Sequence, residues 1–284
     1  MKNVSDSCRA MPLMALNGAR QELMNTLDSV KLICCIGVGE QELYSPALLH
    51  HFVHYYLGLG ILPENFLLTL HAPSEEQNLG QATDYLGRFN IKASDHLLGE
   101  HDCYKFYDQN YKLMARCSAH DWIILVDFDE FLVVPASLPE FVREIEASGC
   151  NLVMGVLVDR LAPNGRLTPI KVGSPIWDQF PEKFKVTRDI VKGFDQKTCI
   201  FRNVMQPNLG HHLVSKSTVP IKVFSQVLNV HHFKWDVTLP TRLKKSLERF
   251  RKNPARYWWA GEVERLLARI TDDHLSLTDC DRID

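Results

Sequence analysis

The stretch Asp121-Trp-Ile-Ile-Leu-Val-Asp-Phe-Asp-Glu-Phe131 passes from an unbroken apolar run into three carboxylates within four residues. Ile123 to Val126 is short and rich in β-branched residues, which predicts a buried strand rather than a helix. Asp127, Asp129 and Glu130 then fall at its carboxyl end, where open α/β sheets place their ligand crevices. Alternation along an extended chain predicts Asp127 and Asp129 on one side, with Phe128 on the other. Two carboxylates so close raise one another's pKa unless a cation neutralises them. A hard divalent ion, Mg²⁺ or Mn²⁺, is the simplest such cation, because it takes carboxylate oxygens and keeps open positions for substrate phosphates. The competing reading of a D-x-D string is a solvated turn, which its place directly after an apolar strand disfavours. Glu130 is expected either to orient a ligand or to begin a helix.

Outward from this stretch the pattern alternates. Lys31 to Val38 reads as a first strand, and its end, Gly37-Val38-Gly39-Glu40, carries glycines that allow a tight turn or close approach to a ligand. Ser45-Pro46 predicts a helix start, with Leu48, Leu49, Phe52, Val53 and Tyr56 as its buried stripe. Asn65 to His71 reads as a second strand, and Ser74-Glu-Glu-Gln77 as a capping box leading into a helix with Leu79, Ala82 and Leu86 inward. Tyr104, Tyr107, Tyr111 and Met114 mark the helix before the central strand. Ser137-Leu-Pro-Glu140 opens the helix after it, and Leu152 to Val158 is again a strand. This alternation predicts an α/β fold, a mostly parallel sheet with helices on both faces. From about Asp159 short polar and glycine-containing connectors dominate, and Pro240 to Ile270 returns to helical spacing.

With 284 residues, 45% of them hydrophobic, the chain is long enough to bury a substantial core. A net charge of −2 offers no global basic field for nucleic acid. Eight cysteines without a C-x-x-C pair, several inside apolar runs, read as reduced thiols and predict a cytoplasmic protein. No apolar run approaches the roughly 18 residues of a membrane span, so no transmembrane segment is expected.

Further candidates lie downstream. The pairs His211-His212 and His231-His232 offer a neutral imidazole as a third metal ligand, against the reading of packed or surface histidines. His50, His51 and His54 read as packing or surface residues of an aromatic helix. Asp159, at the expected end of its strand, is placed to take a proton from an acceptor hydroxyl, or else to form an ion pair. Lys185, Arg188, Lys197, Arg202, Lys216 and Lys234 either neutralise a diphosphate or are ordinary surface charges. Trp177, Trp235, Trp258 and Trp259 offer flat faces to a sugar or nucleobase, or fill the core.

The string Asp127-Phe-Asp-Glu-Phe131 resembles that of GT-A type glycosyltransferases, in particular a family-2-like bacterial group. The resemblance extends over roughly residues 30 to 252, through Lys31 to Glu40, His50 to Gly60, Gly210 to His212 and His231 to Phe233. It implies that Asp127, Asp129 and one of His211 or His232 hold Mn²⁺ or Mg²⁺ against the diphosphate of a nucleotide sugar, with Gly39, Glu40 and Asp127 toward the nucleotide. Asp159 or Glu130 is then expected as the base. The partners it implies are a nucleotide-sugar donor and a glycan or other hydroxyl acceptor, with no nucleic acid. Beside it, weak patterning before Val30 and helical spacing after Pro240 give the expected organisation: a helical lead-in at 1–29, a GT-A-like catalytic domain at 30–239 and a C-terminal helical extension at 240–284. Residues 30–159 are expected to form the nucleotide-binding half and 160–239 the loop-rich acceptor half. Two departures stand out: Gly39 rather than Asn precedes Glu40, and Ala72-Pro-Ser-Glu-Glu-Gln77 replaces a Ser- and Asp-rich turn. The alternatives are a haloacid-dehalogenase-like phosphatase, which carries D-x-D on its first strand, and a catalytically inactive carbohydrate-binding protein.

Overall fold

A computed structural model describes residues 26–38, 45–74, 79–255, 257 and 259–283. Most of the lead-in, the Gly39 and Glu40 positions, residues 75–77 of the expected capping box and Trp258 therefore lie outside the described residues. From residue 30 onward come strand β1 (Val30–Gly37), helix α1 (Pro46–Gly58), β2 (Phe66–Ala72), α2 (Leu79–Gly87), β3 (Asp95–Leu98), α3 (Cys103–Met114) and β4 (Trp122–Leu125). It continues through β5 (Glu130–Val133), α4 (Leu138–Ala147), β6 (Leu152–Leu161), β7 (Glu182–Phe184), β8 (Gln196–Arg202), β9 (Met205–Pro207), β10 (Val214–Ser217) and β11 (Leu228–His232). Helices α5 (Leu239–Lys252) and α6 (Ala260–Leu267) follow.

Capping explains where these helices begin. The Ser45 hydroxyl accepts from the Ala47 and Leu48 amides ahead of Pro46, and Asp102 accepts from the Tyr104 amide at the start of α3. At α4 the Ser137 hydroxyl instead donates to Glu140 at 2.6 Å and caps no backbone amide of the helix.

The central sheet runs β3-β2-β1-β4-β8-β6-β11-β5, with β7 added beside β6. β3, β2, β1 and β4 are mutually parallel, as are β6 and β11. Both faces are covered, which is why β1 reads as a continuous apolar run. Leu32, Cys34 and Ile36 pack toward α1, α2 and α4, whereas Ile33 packs with Ile123, Leu113 and Met114 on the α3 side. The result is the α/β fold that the alternation predicts, a curled and mostly parallel sheet flanked by helices. Within the stretch expected to be connectors, β7 and β8 join β6 antiparallel, and β8 inserts between β4 and β6. Cysteines 34, 35, 103, 117, 150, 199 and 280 are free thiols. Among the described residues no helix is long and apolar enough to cross a membrane.

Candidate active site at the end of strand β4

Strand β4 stops at Leu125, two residues before the first aspartate. The Glu130 amide donates to the Asp127 carbonyl at 3.0 Å and closes a turn, and the Phe233 amide donates to the Asp129 carbonyl at 2.8 Å. Asp127 and Asp129 thus sit on a turn between β4 and β5, which replaces the extended alternation expected from the sequence. Phe128 is buried beneath the turn, its ring 5.5 Å from that of Phe52. Glu130 begins strand β5, not a helix, and is buried.

Each carboxylate of the turn has a cationic partner. Lys197, on β8, donates to Asp127 Oδ2 at 2.9 Å and lies 2.7 Å from Glu130 Oε1. Glu130 Oε2 accepts from the Asp127 amide at 3.0 Å. Desolvation favours neutral Asp127, yet Lys197 holds its carboxyl well below the usual carboxylate range. Burial of Glu130 outweighs the same lysine and raises its pKa. His232, at the end of β11, places Nε2 3.3 Å from Asp129 Oδ2 and Nδ1 3.0 Å from Asp159 Oδ1. Burial and Lys234 lower the imidazole pKa, but Asp129 and Asp159 outweigh them and raise it to about 9.

Asp159 does not end its strand: β6 continues to Leu161, and residue 159 pairs with His232 on β11. Its side chain has no exposed surface, and its oxygens accept from the Thr187 amide and hydroxyl, His232 and the Trp235 indole. His211 is also buried, and burial lowers its pKa to about 4. The Cys35 thiol donates to Asn110 Oδ1, which leaves the amide nitrogen 3.2 Å from His211 Nε2. The proton of the neutral ring then belongs on Nδ1, which has no partner.

The turn opens on a cavity of about 350 Å³. Asp127, half exposed, and Asp129 line one side. Arg242, Ser246 and Arg249 of α5 line the cavity too, together with Phe250, Tyr257 and Trp259. Arg249 forms no ion pair among the described residues; it donates to the His101 carbonyl and to Ser246, and its buried Nε is unpartnered. Arg242 is held by Lys234, Asp236 and Thr238. Of the indoles, Trp235 is buried against Asp159, Trp177 packs on Arg160 and Phe131, and Trp259 reaches the cavity. Sequence reading missed the two arginines because they belong to a basic helix whose orientation no local pattern reveals. Lys197 was one of six scattered cations, with nothing in its neighbourhood to single it out. Among the described residues no group of three His, Cys, Asp or Glu side chains is already gathered to hold a metal ion.

No family model matches this chain, and no curated protein does. Among solved structures it is similar to residues 1–349 of Staphylococcus aureus TarS in complex with UDP, at 11% identity over 82% of this chain and 70% of that one, with a TM-score of 0.34. HddC from Yersinia pseudotuberculosis is 13% identical over 78% of this chain and 99% of its own, with a TM-score of 0.35. A putative glucose-1-phosphate thymidylyltransferase from Bacillus anthracis is 14% identical over 52% of this chain, with a TM-score of 0.31, and the match spans 62% of that protein. Scores this low carry no argument about function.

Proposed function

We propose that this cleft binds a nucleoside diphosphate sugar together with a divalent cation and transfers the sugar to a hydroxyl of a glycan or other acceptor. The observation that carries the reading is the pairing of opposite charges around one cavity: the Asp127 and Asp129 carboxylates share it with the Arg242 and Arg249 guanidiniums. A pyrophosphate bridged to a cation complements both sets. The aromatic end formed by Phe250, Tyr257 and Trp259 suits a nucleobase or sugar face.

The residues fit such an ion. Two ligands at about 2.1 Å on adjacent corners of an octahedron stand roughly 3 Å apart, close to the 3.3 Å between Asp129 Oδ2 and His232 Nε2. Asp159 fixes the other ring nitrogen, as carboxylates do behind metal-bound histidines. One oxygen of Asp127 and one of Asp129 have no hydrogen-bond partner among the described residues. Asp129 and His232 would therefore hold the ion with Asp127 beside them, whereas His211, with its proton on Nδ1, is a donor rather than a ligand. When bound, the cation supplies neutralisation of the charge that develops on the departing diphosphate.

The chain's own groups do the rest. Arg242 and Arg249 orient the phosphates, and Asp159 holds His232 in one ring orientation. Asp159 and Glu130 enter as positioning groups, because both are buried and already hydrogen-bonded, leaving no route for an acceptor proton. Asp127 is the carboxylate of the turn that stands open. The test is Asp129→Ala. The variant is expected to stay folded by circular dichroism, to lose Mn²⁺ binding by calorimetry and to lose Mn²⁺-dependent turnover across a panel of nucleotide sugars. Unchanged metal binding and turnover would remove the reading.

A further inference from the structure

We infer that Lys197 is a positioning residue for the donor site: its ammonium sets the Asp127 carboxylate against the Gly210–His211 loop, and donor affinity depends on that arrangement. The inference rests on reading the cleft as a donor site.

Lys197 is buried, and its three N–H groups have three acceptors: Asp127 Oδ2 at 2.9 Å, Glu130 Oε1 at 2.7 Å and the Gly210 carbonyl at 3.1 Å. Those acceptors come from the turn after β4, the start of β5 and a loop some 80 residues later. The loop has two consecutive left-handed residues, Gly210 at φ +78° and His211 at φ +59°. A non-glycine residue there persists only when its surroundings hold it. Lys197 grips the carbonyl between them, while Asn208 Oδ1 accepts from the His212 and Leu213 amides. The same ammonium therefore sets both the half-exposed Asp127 carboxylate and the unpartnered Nδ1–H of His211.

Stability alone does not explain the cluster. Buried ion pairs often contribute no more than apolar residues of the same size. Glu130 by itself would neutralise Lys197. Without the lysine, Asp127 keeps its place in sequence and loses the group that fixes its rotamer at the cavity wall.

The experiment uses the full chain with Mn²⁺ and whichever of UDP, GDP, ADP or CDP the wild type binds most tightly. Lys197→Met alone leaves two carboxylates unpaired, so the informative variant is Lys197→Met/Glu130→Gln, which removes opposite buried charges together. It is expected to weaken the nucleotide at least tenfold. Asp127→Ala is expected to cost at least tenfold in the wild type and less than twofold further in the double variant, because the carboxylate is already misplaced. A purely structural role would change the melting temperature and leave the nucleotide affinity and this non-additivity unmoved. If the double variant fails to fold, Lys197→Arg keeps the charge without the three-acceptor geometry and serves in the same comparison. Affinity within twofold of wild type, or a full tenfold cost of Asp127→Ala in both backgrounds, overturns the inference alone. A wild type that binds none of the four nucleotides sinks the donor reading and this inference with it.

Discussion

Asp159 illustrates how a side chain with no exposure acts at a distance. It accepts four hydrogen bonds, three at Oδ1 and one at Oδ2, and with no exposed surface it is closed to a substrate, while one of those bonds sets the His232 ring that faces Asp129. Asp159→Asn keeps the size and turns one acceptor oxygen into a donor, which then faces either the Thr187 amide or the three donors now gathered on Oδ1. We expect Mn²⁺ affinity to fall about 10- to 100-fold, the usual cost of removing a group behind a ligand, with the fold retained. Calorimetry with Mn²⁺ checks it, and an affinity equal to wild type would mean that Asp159 serves the core alone. Residue types could nominate Asp159 but not assign its part. Whether a carboxylate is a base or a support depends on what reaches it, and here the donors come from β11, from Trp235 and from Thr187.

At the scale of elements, β6, β8 and β11 approach so closely at Gly155 that a side chain does not fit. A Cβ there would lie 2.4 Å from Cys199 Sγ and 2.8 Å from Val230 Cγ2. Gly155→Ala is expected to destabilise the protein by about 1–3 kcal/mol, the usual range for overpacking, read from urea denaturation. An unchanged midpoint would show that the sheet gives way freely. Helix α5 carries the second prediction. Arg242, Ser246 and Arg249 are spaced by four and three residues, so they share the face toward the cavity. Lys245 is exposed on the same helix. Hydrogen bonds to charged groups contribute about 1.5–3 kcal/mol. Arg249→Ala should therefore weaken nucleoside diphosphate binding about tenfold or more, with Lys245→Ala as the neutral control. Equal effects of the two would reduce α5 to a general basic surface. The apolar spacing of Leu243, Leu247 and Phe250 made this helix legible. The site it faces, more than 100 residues earlier, was not, because a helical stripe records only that something apolar lies beneath it.

For the whole molecule, buried histidines set the response to pH. Burial, reinforced by Arg249, Lys197 and Arg160, lowers His101, His211 and His231 to about 3, 4 and 4. As pH falls from about 6.5 toward 4, the unfolded chain binds protons that the folded chain refuses, so stability falls. His232 has the opposite sign. Its raised value of about 9 contributes stability that is complete below about 6.5 and lost as pH rises through 9. In chelator, the melting temperature should peak near neutrality and decline on both sides. A melting temperature flat from pH 7 down to 4 would show those histidines to be accessible, and one still rising at pH 9 would remove the charge from His232. The sequence by itself determined the alternation from β1 to β6, without β3 and β5, together with the helical spacing of α5, the apolar run of β4 and the presence of Asp127 and Asp129 just beyond it, because periodicity and capping act over a few residues. Only the tertiary structure decided that the aspartates lie on a turn, that Lys197 and His232 neutralise them, that Asp159 is sealed and that α5 lines the cleft with arginines. Those outcomes depend on which distant strands become neighbours, and antiparallel insertion of β8 next to β4 leaves no mark in the local pattern of either strand.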